Sequence, residues 1–402
     1  MPGPSDLNGL LHTRRVLLCV GCGGVGKTTT CAALGLAAAR QGKRVLCLTI
    51  DPARRLAQSL GLEQFTTEAQ RIEPSVFAEA GLDVPGELTV MMLDTKATFD
   101  SLVEALAENG ERRDSIFDNV LYKYISTQLA GTQEYMAMEK LYAVKQDEGY
   151  DVILLDTPPT SHALDFLDAP ARLVGAIDSP AVRWFVSAFE KSGKLSLNLL
   201  QRSAATILRG MGRITGGGFL EQVATFITEM NQLFGGWRAR ADEVASALRG
   251  PEVAYVLVTT PEPMSIREVL FFAERLREQR MGADAYVVNR THPVEEGEAT
   301  VDGVRGAMTR RGIELGANAP ERIVEAARQE QRIGELNRLH LIALDEAFAV
   351  DGDDERGPSS RRTPAVAYVP DFPFDIHDVK RLAWVADIIA PPPSQDAADA
   401  AS

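Results

Sequence analysis

Cysteine is confined to the first 47 of 402 residues, at Cys19, Cys22, Cys31 and Cys47. That is not the spread of a secreted disulfide framework, and everything after Cys47 is left without a thiolate for zinc or a soft metalloid. Basic charge is also short: 42 Lys and Arg against 56 Asp and Glu give a formal net charge of −14. Such a surface repels phosphate backbones and anionic lipid over most of its area. Long apolar runs are missing too. No stretch reaches the roughly 18 residues needed to span a bilayer, and Met1 to Arg15 lacks the basic-then-apolar order of a signal peptide. The expectation is a cytoplasmic protein with no nucleic-acid partner and no direct membrane insertion.

With 45% apolar and 24% charged residues, the chain has the composition of a packed globular protein. Short apolar runs alternate with longer helical patterns: Val16 to Val20, Arg44 to Thr49, Leu88 to Leu93, Val152 to Asp156, Val253 to Thr259, Asp284 to Asn289 and Ala365 to Val369. Strands joined through helices require crossover connections, so the pattern predicts an α/β fold with a mostly parallel, doubly wound sheet. Between Ala163 and Arg249 the strand signal stops, and Phe219, Val223, Phe226, Ile227, Met230, Leu233, Phe234 and Trp237 recur at helical spacing. Gly216, Gly217 and Gly218 read as a break before that helix. The expected organisation is 1–165 and 251–390 as two parts of one α/β domain, 166–250 as an inserted helical subdomain, 351–363 as a polar loop and 391–402 as a disordered tail.

The most specific signal is Gly21 to Thr29, GCGGVGKTT, which fits G-x-x-x-x-G-K-[ST] between a strand and an Ala-rich helix. The glycines let backbone N–H groups converge on phosphate oxygens, and the helix starting near Lys27 presents its positive end. Gly23, Gly24, Val25, Gly26, Lys27, Thr28 and Thr29 are the expected phosphate-binding residues, with the Lys27 ammonium on the β and γ phosphates and the Thr28 hydroxyl on magnesium. The implied ligand is a nucleoside triphosphate with Mg2+.

Such a site needs a carboxylate near the metal. Val152 to Leu155 runs straight into Asp156, at the end of a strand where a doubly wound sheet opens its ligand crevice. Asp156 is the metal-side candidate, and the following Thr157 to Thr160 is a loop able to sense the γ phosphate. The second strand ends at Asp51, which can orient or deprotonate the attacking water; it can equally cap a helix with Pro52 at the first helical position. Cys19 and Cys22 form a C-x-x-C, but they sit in a strand and a glycine-rich turn, so no zinc is expected there.

GCGGVGKTTT, TIDPARRLAQSLG, GTQEYMAMEK, DTPPTSHALDFL, VTTPEP and VVNR occur in the order and spacing of the ArsA-type ATPases, and the chain from about Val16 to Ala390 resembles that family. The family comprises arsenite-pump ATPases, the ATPase that guides entry of tail-anchored membrane proteins, and bacterial anion-transporting ATPase relatives, which this chain is most similar to. The resemblance implies a P-loop ATP hydrolase that dimerises and whose helical subdomain changes shape with nucleotide state to handle an apolar client helix. It also implies that Lys27 and Asp51 are catalytic, that Asp156 serves the metal, that Asn289 hydrogen-bonds adenine, and that Pro370 and Phe372 belong to a loop covering the base. Glu134 matches an acidic position in a conformationally responsive segment.

Three departures stand beside these matches. The family's G-K-G-G-V-G-K-T places a lysine where this chain has Cys22, and that lysine reaches the partner's nucleotide. A thiol cannot supply the cation, so either a homodimer or a heterodimer with a paralogous subunit is open. The missing late cysteines exclude both the paired zinc site of the eukaryotic tail-anchored-protein factor and thiol-gated arsenite binding. A subunit energising an anion pump, and a nucleotide-gated scaffold with weak hydrolysis, are the alternative functions. For Phe219 to Trp237, internal packing is the favoured reading over a client groove, while Trp184-Phe185-Val186 and Leu195 to Leu200 carry more apolar residues than one helix face hides. His162 reads as structural or switch-related.

Overall fold

The computed structural model describes residues 7–50, 60, 67–119, 122–123, 126, 132–158, 168–169, 175, 217–292, 294, 297–314, 316–351 and 364–392. Asp51, Pro159, Thr160, His162, the Trp184-Phe185-Val186 run, Leu195 to Leu200, residues 352–363 of the polar loop and 393–402 of the tail lie outside them.

Strands β1 (Val16–Val20), β2 (Arg44–Thr49), β3 (Gln70–Arg71), β4 (Glu87–Met92), β5 (Val152–Asp156), β6 (Val253–Thr259), β7 (Ala285–Thr291) and β8 (Ala365–Pro370) form one sheet in the order β3-β4-β2-β5-β1-β6-β7-β8. Neighbours are parallel except β3 with β4. All five residues of β1, all five of β5 and all seven of β6 are buried, because central parallel strands have no solvated face to alternate toward. The helices are α1 (Asn8–Thr13), α2 (Lys27–Arg40), α3 (Pro74–Glu79), α4 (Thr95–Leu106), α5 (Gly110–Asp118), α6 (Thr132–Gln146), α7 (Gly217–Leu248), α8 (Pro263–Glu278), α9 (Val301–Arg310), α10 (Ala319–Asp351) and α11 (Val379–Ile389). The architecture is a doubly wound α/β fold. The two-residue β3 was not foreseen: it is polar, lies at the sheet edge and is too short for any period to register.

The chain divides into two compact units. Met1–Met92, Glu148–Ser161 and Pro251–Ser402 make the first, which holds the sheet; Leu93–Asp147 and His162–Gly250 make the second. The helical unit therefore includes Leu93–Asp147, a segment that the sequence reading assigned to the α/β domain. The physical reason is the packing of α4 and α6 on α7. The Phe99 and Trp237 rings meet edge-on at 5.2 Å, Tyr135 lies 6.4 Å from Trp237, and the Arg240 guanidinium sits over Tyr142 at 4.2 Å while donating to the buried Glu139 Oε1. Phe226, Leu233, Trp237, Ala241, Val244 and Leu248 of α7 are buried at steps of seven, four, four, three and four residues, which keep to one side of a helix. Gly217 and Gly218 fall inside the first turn of α7, not in a break before it. Trp237→Ala should destabilise this unit by about 3–5 kcal/mol, read as a lower midpoint in denaturant unfolding.

Where β2 and β5 begin, Arg44 closes a pair with Asp151: Nη2 lies 2.8 Å from Oδ1, and the Arg44 backbone N–H donates to Oδ2 at 2.8 Å. The Arg44 side-chain bond, reinforced by that backbone bond, pulls the Asp151 carboxyl down to about 2. A carboxyl lowered on folding stabilises the fold above its unfolded pKa, and the stability is lost as pH falls from about 4 toward 2. The pair is solvated, so Asp151→Asn should cost less than about 1 kcal/mol at pH 7 and progressively less as the pH falls through 2, measured by thermal unfolding across that range.

Candidate active site

The loop between β1 and α2 is built around backbone shapes that side chains resist. Gly24 and Gly26 have φ of 80° and 97°, in the left-handed region, and a Cβ on Gly21 would run into the Val258 carbonyl of β6. Gly26 is also the N-cap of α2 and supplies no side-chain acceptor to the first turn. The early N–H groups of α2, which have no intrahelical partner, are thus available to an anion at this end.

Lys27, 7% exposed, donates from Nζ to the Cys22 carbonyl at 2.8 Å, so its ammonium is held back over the loop. Beside it, the Thr28 hydroxyl donates to Asp156 Oδ2 at 2.7 Å, and Thr49, ending β2, donates to the same oxygen at 3.1 Å. Register explains the meeting: Thr49 is the β2 partner of Asp156 in the parallel β2–β5 pair. The Thr157 hydroxyl, next along, bonds the Cys19 carbonyl at 2.8 Å and ties the chain leaving β5 back to β1. A hydroxyl and a carboxylate within one hydrogen bond of each other are hard oxygen donors of the kind magnesium takes, beside a loop of backbone donors suited to phosphate. Thr28 and Asp156 fit a magnesium ion carried with a nucleotide.

Asn289, near the end of β7, donates from Nδ2 to the Val25 carbonyl at 2.8 Å and lies so close to Gly26 that a Cβ there would strike it. Gly26, Thr29, Asn289, Pro370 and Phe372 line one cavity of about 640 Å³, together with Arg290, Asp371, Phe374, Asp375, Ile376, His377 and Val385. Phe372 and Phe374 stack at 5.7 Å. The structure thus brings Lys27, Thr28 and Asp156 together at the loop, and Asn289, Pro370 and Phe372 around the cavity that the end of the loop opens into. Asp51 lies outside the described residues, one position beyond Ile50, whose N–H bonds the Asp156 carbonyl at 3.4 Å.

Sequence reasoning missed Thr49, which the alignment of two strand ends could have revealed, and Arg290, which no local signal marks. Arg290 takes φ 58° at an irregularity between Val288 and Thr291 in the β7–β8 pairing. Cys22 is buried and donates to Ser265 Oγ at 3.2 Å. All four cysteines are free and buried, and hydrogen bonding with Cys19 and Cys47, then burial, raises the Cys31 thiol well above its ordinary value. Among the described residues no three His, Cys, Asp or Glu side chains are grouped to hold a metal, and no helix is long and apolar enough to cross a membrane. Glu134 is buried in the helical unit.

A parallel sheet that delivers a glycine loop, a buried lysine and a Thr–Asp pair to one crevice defines a P-loop nucleotide hydrolase. The family model described as anion-transporting ATPase matches residues 14–308, and the chain belongs to that family, the ArsA-type ATPases; it is an ATP hydrolase. It is similar to ATPase GET3 of Phaeosphaeria nodorum, 25% identical over 306 residues that cover 75% of this chain and 84% of that protein. ATPase GET3 of Ajellomyces dermatitidis is 26% identical over 69% of this chain and 73% of its own. For ATPase get3 of Aspergillus terreus the figures are 26%, 75% and 81%.

Proposed function

We propose that this chain is a cytoplasmic, Mg-ATP-dependent ATPase that works as a dimer and couples ATP binding and hydrolysis to a change in a helical surface that handles an apolar protein segment. The observation that carries the reading is the Lys27, Thr28 and Asp156 constellation around the loop. Lys27 and the backbone donors of Gly23 to Thr29 bind the triphosphate and stabilise charge on the oxygens of the transferring phosphoryl group. Thr28 and Asp156 would hold magnesium, which when bound would neutralise charge on the phosphate. Asp51 orients water for in-line attack at the γ phosphorus: the new P–O bond forms as the bond to the β-phosphate oxygen breaks, and ADP leaves with that electron pair. Thr49 keeps the Asp156 carboxylate aimed at the loop.

Base recognition falls to Asn289, Pro370 and Phe372. The Val25 carbonyl can only accept, so the Asn289 amide must turn its NH2 toward it, which leaves Oδ1 as the acceptor for an exocyclic amino group. Adenine offers that donor and guanine offers a carbonyl at the same place. Asn289→Ala should raise the ATP concentration at half-maximal turnover roughly tenfold, about 1.4 kcal/mol, with a much smaller effect on GTP; steady-state kinetics with both nucleotides read it.

Cys22 favours a second reading of the assembly, a heterodimer in which a paralogous subunit supplies the cation that a thiol buried against Ser265 does not. Zinc is no part of either reading, nor is nucleic acid. The client proposal is tested by ATP turnover of the purified chain with and without a hydrophobic tail-anchor peptide. A peptide-dependent change in turnover supports it. Turnover indifferent to the peptide but stimulated by an oxyanion moves the reading to an anion pump.

A further inference from the structure

Val288 of β7 pairs with Tyr368 of β8 and Thr291 pairs with Pro370, so two residues, Asn289 and Arg290, stand opposite Val369 alone. This is a β-bulge on β7, and Arg290 takes φ 58° within it. Glycine holds that left-handed shape freely, arginine only at a cost. Arg280 has a similar φ for an ordinary reason: it follows α8, where the Met281 N–H closes the helix end on the Leu276 carbonyl at 2.8 Å. Arg290 ends no helix. The bulge instead directs two neighbours the same way. Successive residues of a regular strand point to opposite faces, yet Asn289 and Arg290 both line the cavity of about 640 Å³. Arg290 is exposed there, and its guanidinium has no hydrogen-bond, ion-pair or ring partner among the described residues. Asp371 and Asp375 line the same cavity without pairing with it; Asp371 Oδ2 lies 3.8 Å from His292 Nε2 instead. Strain kept at an open cavity wall points to a ligand.

We infer that the Arg290 guanidinium lies flat on the face of the base whose edge Asn289 reads, which makes Arg290 a purine-selecting residue of this ATPase. The inference rests on the base recognition proposed above. A phosphate and the ribose are the other parts of the nucleotide that a guanidinium could meet. Phosphate belongs to Lys27 and the amides of the loop, and the two cavity carboxylates repel a further anionic group. Ribose hydroxyls are better served by those carboxylates, which accept the hydrogen bonds that a guanidinium can only donate. A planar cation beside an aromatic ring is drawn to its face, and more strongly by the double ring of a purine than by a pyrimidine. Phe372 and Phe374, stacked at 5.7 Å, wall the cavity from the chain beyond β8. The base then has a cation on its β7 side and an aromatic wall on its β8 side.

The test is calorimetric titration of the full chain with Mg-ATP, Mg-ADP, Mg-UTP and inorganic tripolyphosphate, with a thermal unfolding midpoint for each variant. Arg290→Gly removes the side chain and relieves the backbone, and Arg290→Asn, which also tolerates a left-handed φ, controls for added flexibility. Both should weaken ATP and ADP by the same factor, roughly tenfold, and UTP by no more than about threefold. Tripolyphosphate binding should stay within about twofold of wild type, and neither midpoint should fall. Arg290→Lys keeps the charge without the plane, and its ATP affinity should lie nearer to that of Arg290→Gly than to wild type. Equal losses for ATP and tripolyphosphate would make Arg290 a phosphate cation and overturn the inference, as would Arg290→Lys binding ATP as tightly as wild type. If Arg290→Gly and Arg290→Asn bind ATP normally while Asn289→Ala does not, the inference fails and the base recognition stands. If Asn289→Ala also binds ATP normally, both fall together.

Discussion

Lys27→Ala abolishes ATP turnover, with kcat falling by at least about 10²- to 10³-fold. The size follows from where the ammonium sits. It is buried at the mouth of the loop, where low dielectric strengthens its field on a phosphate oxygen, and the protein around it carries a net charge of −14 that does nothing to replace it. Lys27 bonds the Cys22 carbonyl from within the loop, so the substitution also loosens the local hydrogen bonding. Lys27→Arg separates the two effects: it keeps a cation in the loop but cannot reproduce a point charge on the β–γ bridge, and it should recover nucleotide binding more than turnover. Steady-state turnover and nucleotide titration on both variants measure this. Turnover near the wild-type rate in Lys27→Ala would remove the active site from this loop.

The second large effect is at Asp156. Asp156→Asn keeps the size and the acceptor oxygen that Thr28 and Thr49 use, but it removes the charge that fits the site to a divalent cation. Turnover should fall roughly 10²-fold, and the magnesium concentration needed for half-maximal rate should rise, while unfolding stability changes little. The signature is the magnesium dependence. A variant with a lower rate but the same magnesium midpoint would mean that Asp156 supports the loop without serving the metal. Thr49→Val offers a milder contrast, since it frees Asp156 from one hydrogen bond without changing the charge, and it should shift the magnesium midpoint by no more than a few-fold.

Much of this was legible from residue types. The runs at Val16, Val152 and Val253 are apolar without alternation because their strands are covered on both faces, and seven strands appear within a residue or two of expectation. The loop was legible because its chemistry and its spacing are the same thing: left-handed glycines and a helix start leave few other sequences that work. What escaped was whatever depends on which body an element joins. The apolar stripe of α4 has a helical period whether it packs on a sheet or on α7, and α6 is buried without a break from Glu134 to Glu139, so nothing before the contacts of Phe99, Tyr135 and Glu139 assigned Leu93–Asp147 to the helical unit. The cavity wall escaped for a similar reason. Arg290, Asp375 and His377 are ordinary polar residues in sequence, and the turn of the chain after Asn289 and after Pro370 brings them to one space.

Cys22 is where chemistry and family part. It sits in the phosphate loop, bonded to Ser265 of α8, and a thiol cannot act as the cation that the family resemblance implies at this position. Either the catalytic charge within one copy is sufficient, or a different subunit completes the site. That choice decides whether the account of a self-sufficient dimeric ATPase holds. The most direct measurement is molar mass and ATP turnover on the same purified sample, in Mg-ATP and again in Mg-ADP. The account predicts measurable turnover and a shift toward the dimer mass in Mg-ATP relative to Mg-ADP. A chain that binds ATP yet stays at 43.7 kDa and does not cleave it would contradict the account and point to a second, different subunit.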